Sequence, residues 1–195
     1  MLPGHGVHPA RPGLSAYLAA DDVIDHDHPI VREVAADLAR QAADSYVYAQ
    51  AAYEYVRDAV PHSHDTGDPR VTWRASDVLR RRTGICYAKS HALAALLRAE
   101  DIPAALCYQR LEGVVHGLVA VRFHGAWHRQ DPRGGRPGGS VPFSLTGERL
   151  PFTPRPESSD LDYPVLYAAP HPVVLEALRK APDRARLWQT LPTSL

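Results

Sequence analysis

The 195-residue chain is short of cysteine and methionine, with two and one respectively, and it carries no excess charge of either sign. Cys86 and Cys107 are too few for a disulfide framework, and a four-thiolate zinc site is out of reach, so each thiol has to be judged from its surroundings. Lys plus Arg and Asp plus Glu both number 22 and cancel. That removes the positive field expected of a general nucleic-acid binder. No apolar run approaches the ~20 residues of a membrane span. The opening MLPGHGVHPARPGLSAYLAADD has no basic stretch followed by an apolar one, so the expectation is a cytoplasmic protein without a membrane partner. Hydrophobic residues at 45% suffice for a packed core, and the length suits one domain with an appendage.

What is present changes character along the chain. Residues 1–28 read as an irregular arm rich in Pro and Gly near its start. Pro29 suits a first helical turn, and Ile30, Val34 and Leu38 recur at four-residue spacing behind it. A second helix is expected from Ser45 to Ala59, before Pro61. PHSHDTGDPR is a loop by composition. Ser76 is placed to cap a short helix from Asp77 to Arg82, with Thr83 and Gly84 ending it. A longer helix runs from Cys86 to Ala99, with Cys86, Ser90, Leu93 and Leu97 on one face. From Ala104 the period becomes that of strands. AALCYQRL, VVHGLVAVRF and AWHRQD are separated by Glu112-Gly113 and His124-Gly125, breaks short enough for an antiparallel meander. RGGRPGGS then opens a segment, 134–195, that holds most of the prolines. One further helix, near Val173–Lys180, is expected there.

Chemistry concentrates in three residues. Cys86 follows Thr83-Gly84-Ile85 at the start of a helix, where free N–H groups and the macrodipole favour a thiolate. There its own N–H can also face an oxyanion. The competing reading is a buried cysteine acting as a small hydrophobe. If His124-Gly125 is a two-residue turn, Phe123 pairs with Ala126, and His116 then shares a face with Asp131, one diagonal step away. Such neighbours lie ~7–8 Å apart, within reach of an imidazole and a carboxylate that point toward each other. A structural His–Asp pair would look the same. The three together supply nucleophile, base and orienter in chain order.

The residues TGICYAKSHALAALLRAEDIPAAL, followed by VVHGLVAV and AWHRQDPRG, resemble the transglutaminase-like superfamily of papain-related folds. The Gly-x-Cys-aromatic core is Gly84-Ile85-Cys86-Tyr87, and the match covers roughly residues 73–133. The resemblance implies an α+β fold with helices packed on a small antiparallel sheet. It also implies a catalytic core over 29–133, with 134–195 as a Gly/Pro-rich C-terminal extension packing on it. By residue, it implies Cys86 as nucleophile, His116 as general base then acid, and Asp131 as orienter. The reaction expected is acyl transfer at an amide of a peptide or protein through a thioester, without metal or organic cofactor. Papain-type enzymes carry a Gln shortly before the cysteine as oxyanion donor. Trp73 to Ile85 contains neither Gln nor Asn, which leaves Trp73, Tyr87 or a backbone N–H as candidates.

Two rival classes stay open on the sequence. One is a catalytically silent binding module that keeps the fold. The other is a metal hydrolase built on Asp25-His26-Asp27-His28 or His62-Ser63-His64-Asp65, since His and Asp can ligate zinc or a harder cation. Loop capping and solvation account for the same clusters. His91 reads as a packing or cleft residue, and Cys107 as a buried strand residue. Arg80-Arg81-Arg82 reads as a solvated run, or as an attractor of anionic substrate.

Overall fold

The computed structural model describes residues 8–9, 12–135, 141–155 and 157–195. The start of the expected arm (1–7, 10–11) and residues 136–140 of the Gly/Pro stretch lie outside the described residues. A two-residue strand β1 (His8–Pro9) precedes a 3-10 turn (Leu14–Tyr17) and the helices α1 (Pro29–Ala39), α2 (Ser45–Ala59), α3 (Ser63–Thr66), α4 (Ala75–Arg81) and α5 (Cys86–Ala99). Strands β2 (Ala104–Leu111), β3 (Val114–Phe123) and β4 (Ala126–Gln130) follow. Short strands β5 (Leu161–Asp162) and β6 (Val165–Leu166) and helices α6 (Pro172–Lys180) and α7 (Arg184–Gln189) complete the order.

The helix starts obey elementary capping. Pro29 occupies the first turn of α1, where His28 Nδ1 accepts from Ile30 N–H at 3.3 Å. Asp44 caps α2 through Val47 N–H at 2.9 Å. The expected cap of α4 is corrected: the helix begins earlier, after Arg74, and Ser76 lies inside it. There the Asp25 carboxylate reaches in from the arm and accepts from Ser76 N–H at 3.0 Å and Ser76 Oγ–H at 2.5 Å. Its C-terminus is also corrected, because Arg82 itself turns left-handed at φ 49°.

Helix α5 buries more than the face that carries Cys86, Ser90, Leu93 and Leu97. Every residue from Cys86 to Ala99 is buried, because α1, α2, α4, β2 and β3 all pack around this helix. Its alanines permit that close approach, and its two cations are satisfied internally. Lys89 Nζ donates to the carbonyls of Arg57 and Val60 at 3.1 and 2.5 Å. The Arg98 guanidinium donates to the carbonyls of Ala19, Ala104 and Ala168, each at 2.7 Å. Burial lowers the Arg98 pKa to about 10, so it remains a cation at neutral pH. At ~1.5–3 kcal/mol for each hydrogen bond to a charged group, these bonds offset the cost of burying it. They also tie the arm, the α5–β2 connection and the C-terminal segment to one helix.

The sheet has the order β4-β3-β2-β5, with antiparallel neighbours throughout. Both hairpin connections use two residues with positive φ: Glu112 (51°) and Gly113 (83°), then His124 (48°) and Gly125 (82°). That is the turn whose twist matches the strands. It fixes Phe123 opposite Ala126 and carries the register through to Val119 opposite Gln130. Val115, Val119 and Val121 face the main core, whereas Leu118 and Ala120 join Cys107, Tyr17 and Leu166 in a smaller one. The C-terminal segment returns over this assembly. Val174, Leu178 and Leu187 are buried in the main core, and Val115 N–H donates to the Pro192 carbonyl at 2.7 Å. No helix among the described residues is long and apolar enough to cross a membrane.

Candidate active site

A cleft of about 490 Å³ opens where the first turn of α5 meets the start of β3. Its lining includes Cys86, Tyr87, His116, His62, Phe152 and Trp188. Cys86 is the first residue of α5, entered from an extended Ile85 with no side-chain cap, so the first-turn N–H groups are open for an anion. The entry is tight. A Cβ on Gly84 would lie 2.9 Å from the Ala88 Cβ and 3.1 Å from Thr72 Oγ1. Thr72 itself donates to the Thr83 carbonyl at 2.7 Å.

Two contacts set β3 against this helix turn. Tyr87 Oη–H donates to the Val115 carbonyl at 2.5 Å, and Gly117 lies so close that a Cβ would stand 2.9 Å from Tyr87 Cδ1 and 3.3 Å from Tyr87 Cα. His116, between Val115 and Gly117, is thereby held beside Cys86. Its Nε2 lies 2.7 Å from Asp131 Oδ2, which leaves Nδ1 for the sulfur. Cys86 is a hydrogen-bond and charge partner of the same ring.

The Asp131 side chain is fully buried. Its second oxygen accepts from Arg133 N–H at 2.9 Å, and its carbonyl accepts from Tyr53 Oη–H at 3.2 Å, so the carboxylate cannot swing away. Burial alone would lower the His116 pKa. The Asp131 carboxylate, Cys86 and their hydrogen bonds outweigh it and raise the value to about 10. Phe152 closes the other side of the ring, edge to face at 5.8 Å.

The structure therefore brings Cys86, His116 and Asp131 together, with Tyr87 beside them. The Tyr87 hydroxyl is committed to Val115. Trp73 lies outside the cleft lining, its ring between the Arg74 and Arg179 guanidinium groups at 4.7 and 4.5 Å. Its carbonyl receives the Nδ1–H of His91, a buried histidine whose pKa burial lowers to about 4. Cys107 is buried in β2, where burial pushes its thiol up to about 12.

The two His/Asp clusters do not converge. Asp25 binds Ser76, His26 Nε2 lies 3.0 Å from the Leu18 carbonyl, and His28 caps α1. His64 stacks on Trp188 at 4.0 Å, and Asp65 pairs with Arg133 at 2.9 Å. Among the described residues, no three of His, Cys, Asp and Glu gather as a metal would require. Sequence reading alone missed His62, Phe152, Trp188 and Leu191 as cleft residues. They come from loops and the C-terminal segment, and no local pattern marks them.

A central buried helix opening with a thiol, packed on an antiparallel sheet that carries a His, with an Asp just past the end of its edge strand, is the papain-like α+β arrangement. The family model of the transglutaminase-like superfamily matches residues 32–132, just over half of the chain, and the protein belongs to that superfamily. Among solved structures, a candidate cysteine protease from Cytophaga hutchinsonii is similar at a TM-score of 0.54 and 18% identity, over 65% of this chain and 46% of that one. The periplasmic domain of TgpA from Pseudomonas aeruginosa is similar at a TM-score of 0.49 and 21% identity, over 63% of this chain and 48% of that one. The match thus spans less than half the length of either. No curated protein matches the sequence.

Proposed function

We propose that the protein is a cysteine-dependent acyl-transfer enzyme acting on an amide bond of a peptide or protein. Cys86 is its nucleophile, His116 its general base and acid, and Asp131 the group that holds the ring. The observation that carries this reading is the His116 imidazole, partnered on one side by Asp131 and on the other by Cys86 at the wall of one cleft. The thiol proton passes to His116, whose raised pKa holds it there, and the thiolate attacks the carbonyl carbon. The oxyanion that forms faces the Cys86 N–H. Protonated His116 gives its proton to the departing amine, leaving a thioester on Cys86. Water, activated by the same ring, then releases the acid; an amine in its place would give a cross-link. We favour hydrolysis, because water is always at hand. The apolar wall of Tyr87, Val114, Phe152, Trp188 and Leu191 suits an apolar side chain next to the scissile bond.

Exposure to a library of peptides and peptidoglycan fragments, with acid quenching and mass spectrometry, should yield an acyl adduct on Cys86 and none on Cys107. Iodoacetamide should likewise modify Cys86 first. Equal, slow labelling of both thiols with no acyl adduct would leave only a binding role for the cleft.

The raised His116 pKa gives a pH prediction. Below the ordinary histidine value the ring is protonated whether or not the chain is folded, and the pair's contribution to stability is fully present. That contribution is lost as the pH climbs toward about 10. The alkaline limb of kcat/KM should lie near the same value, where His116 ceases to be an acid. Asp131→Asn removes the negative charge that opposes burial, so the limb should move to lower pH. Activity should fall less than in Cys86→Ala, since an Asn oxygen can still accept from Nε2–H. A pH–rate profile of the Asn variant with an unmoved limb would remove Asp131 from this role.

A further inference from the structure

Attack on a carbonyl calls for two donors at the developing oxyanion, and the Cys86 N–H is only one. The usual side-chain source, an amide shortly before the cysteine, is missing from this chain. Neither Trp73 nor Tyr87 can supply it, since Trp73 stands outside the cleft and the Tyr87 hydroxyl already donates to Val115. One polar group in the cleft is unexplained. His62 lines it together with Cys86 and His116, is only 6% exposed, and has an Nδ1 that is buried with no hydrogen-bond partner.

The backbone says why this ring stands where it does. His62 forms an isolated parallel bridge with Gly84, and Ser63 N–H donates to the Gly84 carbonyl at 3.1 Å. A residue far upstream is thus laced to the segment that delivers Cys86 to the head of α5. The backbone at His62 and Ser63 is thereby anchored two residues before Cys86. The ring is backed edge-on by Trp188 at 6.5 Å.

Its protonation state follows from its surroundings. Burial, and then the positive charges of Arg133, Lys89 and His116, lower the His62 pKa to about 2. The ring is therefore a neutral imidazole with one N–H. A proton on Nδ1 would be a buried donor without an acceptor, at a cost of ~1–3 kcal/mol. The favoured tautomer carries its proton on Nε2, the other nitrogen of a ring that lines the cleft.

Resting on the acyl-transfer reading above, we infer that His62 is the second oxyanion donor, its neutral Nε2–H and the Cys86 backbone N–H together receiving the carbonyl oxygen as it becomes negative. Neutrality suits this role, because an uncharged ring supplies the hydrogen bond over the whole working pH range and cannot compete with His116 for the thiol proton.

Two reactions of the same thiol separate this role from simple support of the site. Acylation by p-nitrophenyl acetate passes through a tetrahedral oxyanion. Alkylation by iodoacetamide displaces iodide and forms none. His62→Phe keeps the ring's packing and removes the donor, whereas His62→Gln restores an N–H. We expect the Phe variant to lose on the order of 10²–10³-fold in the acylation rate. Its alkylation rate should stay within about twofold of the wild type, with an unchanged pH profile, and the Gln variant should recover most of the acylation. Equal losses in both reactions, or an unaffected acylation rate in a folded Phe variant, would overturn the assignment. If Phe at this position prevents folding, a folded Gln variant that acylates no better than the background rate would do the same. A wild-type protein that is alkylated at Cys86 but never acylated would instead overturn the reaction proposed above, and the donor along with it.

Discussion

Replacing Cys86 by alanine is expected to abolish turnover while leaving the fold in place. The sulfur is the only atom in the cleft that the proposed reaction bonds to carbon, so no neighbouring group can take over. A loss on the order of 10⁴-fold or more in kcat is expected, as for the removal of other triad nucleophiles. The structural cost is small by comparison. Cys86 is 8% exposed at the mouth of the cleft, and Ala is a better helix former than Cys, so stability should change by about 1 kcal/mol or less. A second readout separates loss of the nucleophile from loss of the site. Cys86 is one of the partners that keep the His116 proton bound, so in Cys86→Ala the His116 pKa, followed by NMR, should fall while the contact with Asp131 remains. Turnover of any amide substrate at the wild-type rate by the Ala variant would show that the nucleophile had been misassigned.

The local parts of this site could be read from the amino acids because each is set by a short-range rule. Ser45–Ala59 and Cys86–Ala99 are long, strongly periodic or helix-favouring segments, and the structure forms helices at those bounds. His124-Gly125 can adopt the left-handed pair of angles of a tight turn, and one turn of known length is enough to align His116 with Asp131 across two strands. Where the reading of Ser76 failed, the cause was a distant residue: Asp25 reaches α4 from the arm, and no neighbour of Ser76 announces it. The same holds for the completely buried α5. Lys89 and Arg98 look like solvated positions until the carbonyls that receive them are assembled from four separate segments. His62 is the functional counterpart. Within PHSHDTGDPR it is one histidine among polar loop residues, and only the bridge to Gly84 brings it to the cleft. The composition of the C-terminal segment likewise gives no sign that Trp188 and Leu191 form a cleft wall, because their placement depends on the Val115 N–H donating to the Pro192 carbonyl.

Gly117→Ala should separate geometry from chemistry. None of the proposed reacting groups is changed, and Gly117 has no positive φ to protect, so backbone strain is not the issue. What matters is a distance. The added methyl would stand 2.9 Å from Tyr87 Cδ1 and 3.3 Å from Tyr87 Cα. A turn of the ring about its Cβ–Cγ axis would ease the first contact and leave Oη on Val115, but the second contact is with the backbone of α5 itself, which no ring motion relieves. The helix turn carrying Cys86 and the strand carrying His116 must then move apart. Overpacking of this kind costs about 1–3 kcal/mol, so the domain should still fold, with a measurably lower Tm. Activity should suffer far more, since a displacement near 1 Å between reacting groups costs about 10²-fold. Iodoacetamide should also react more slowly with Cys86, because the thiol loses its imidazole partner before any substrate arrives. A pairing of the Ala substitution with Tyr87→Phe tests the cause: with no hydroxyl tied to Val115, the first turn of α5 and its ring can shift together away from the added methyl, and part of the alkylation rate should return. A folded Gly117→Ala protein with the wild-type kcat/KM and alkylation rate would mean that the close approach of β3 to α5 is not what holds His116 against the thiol.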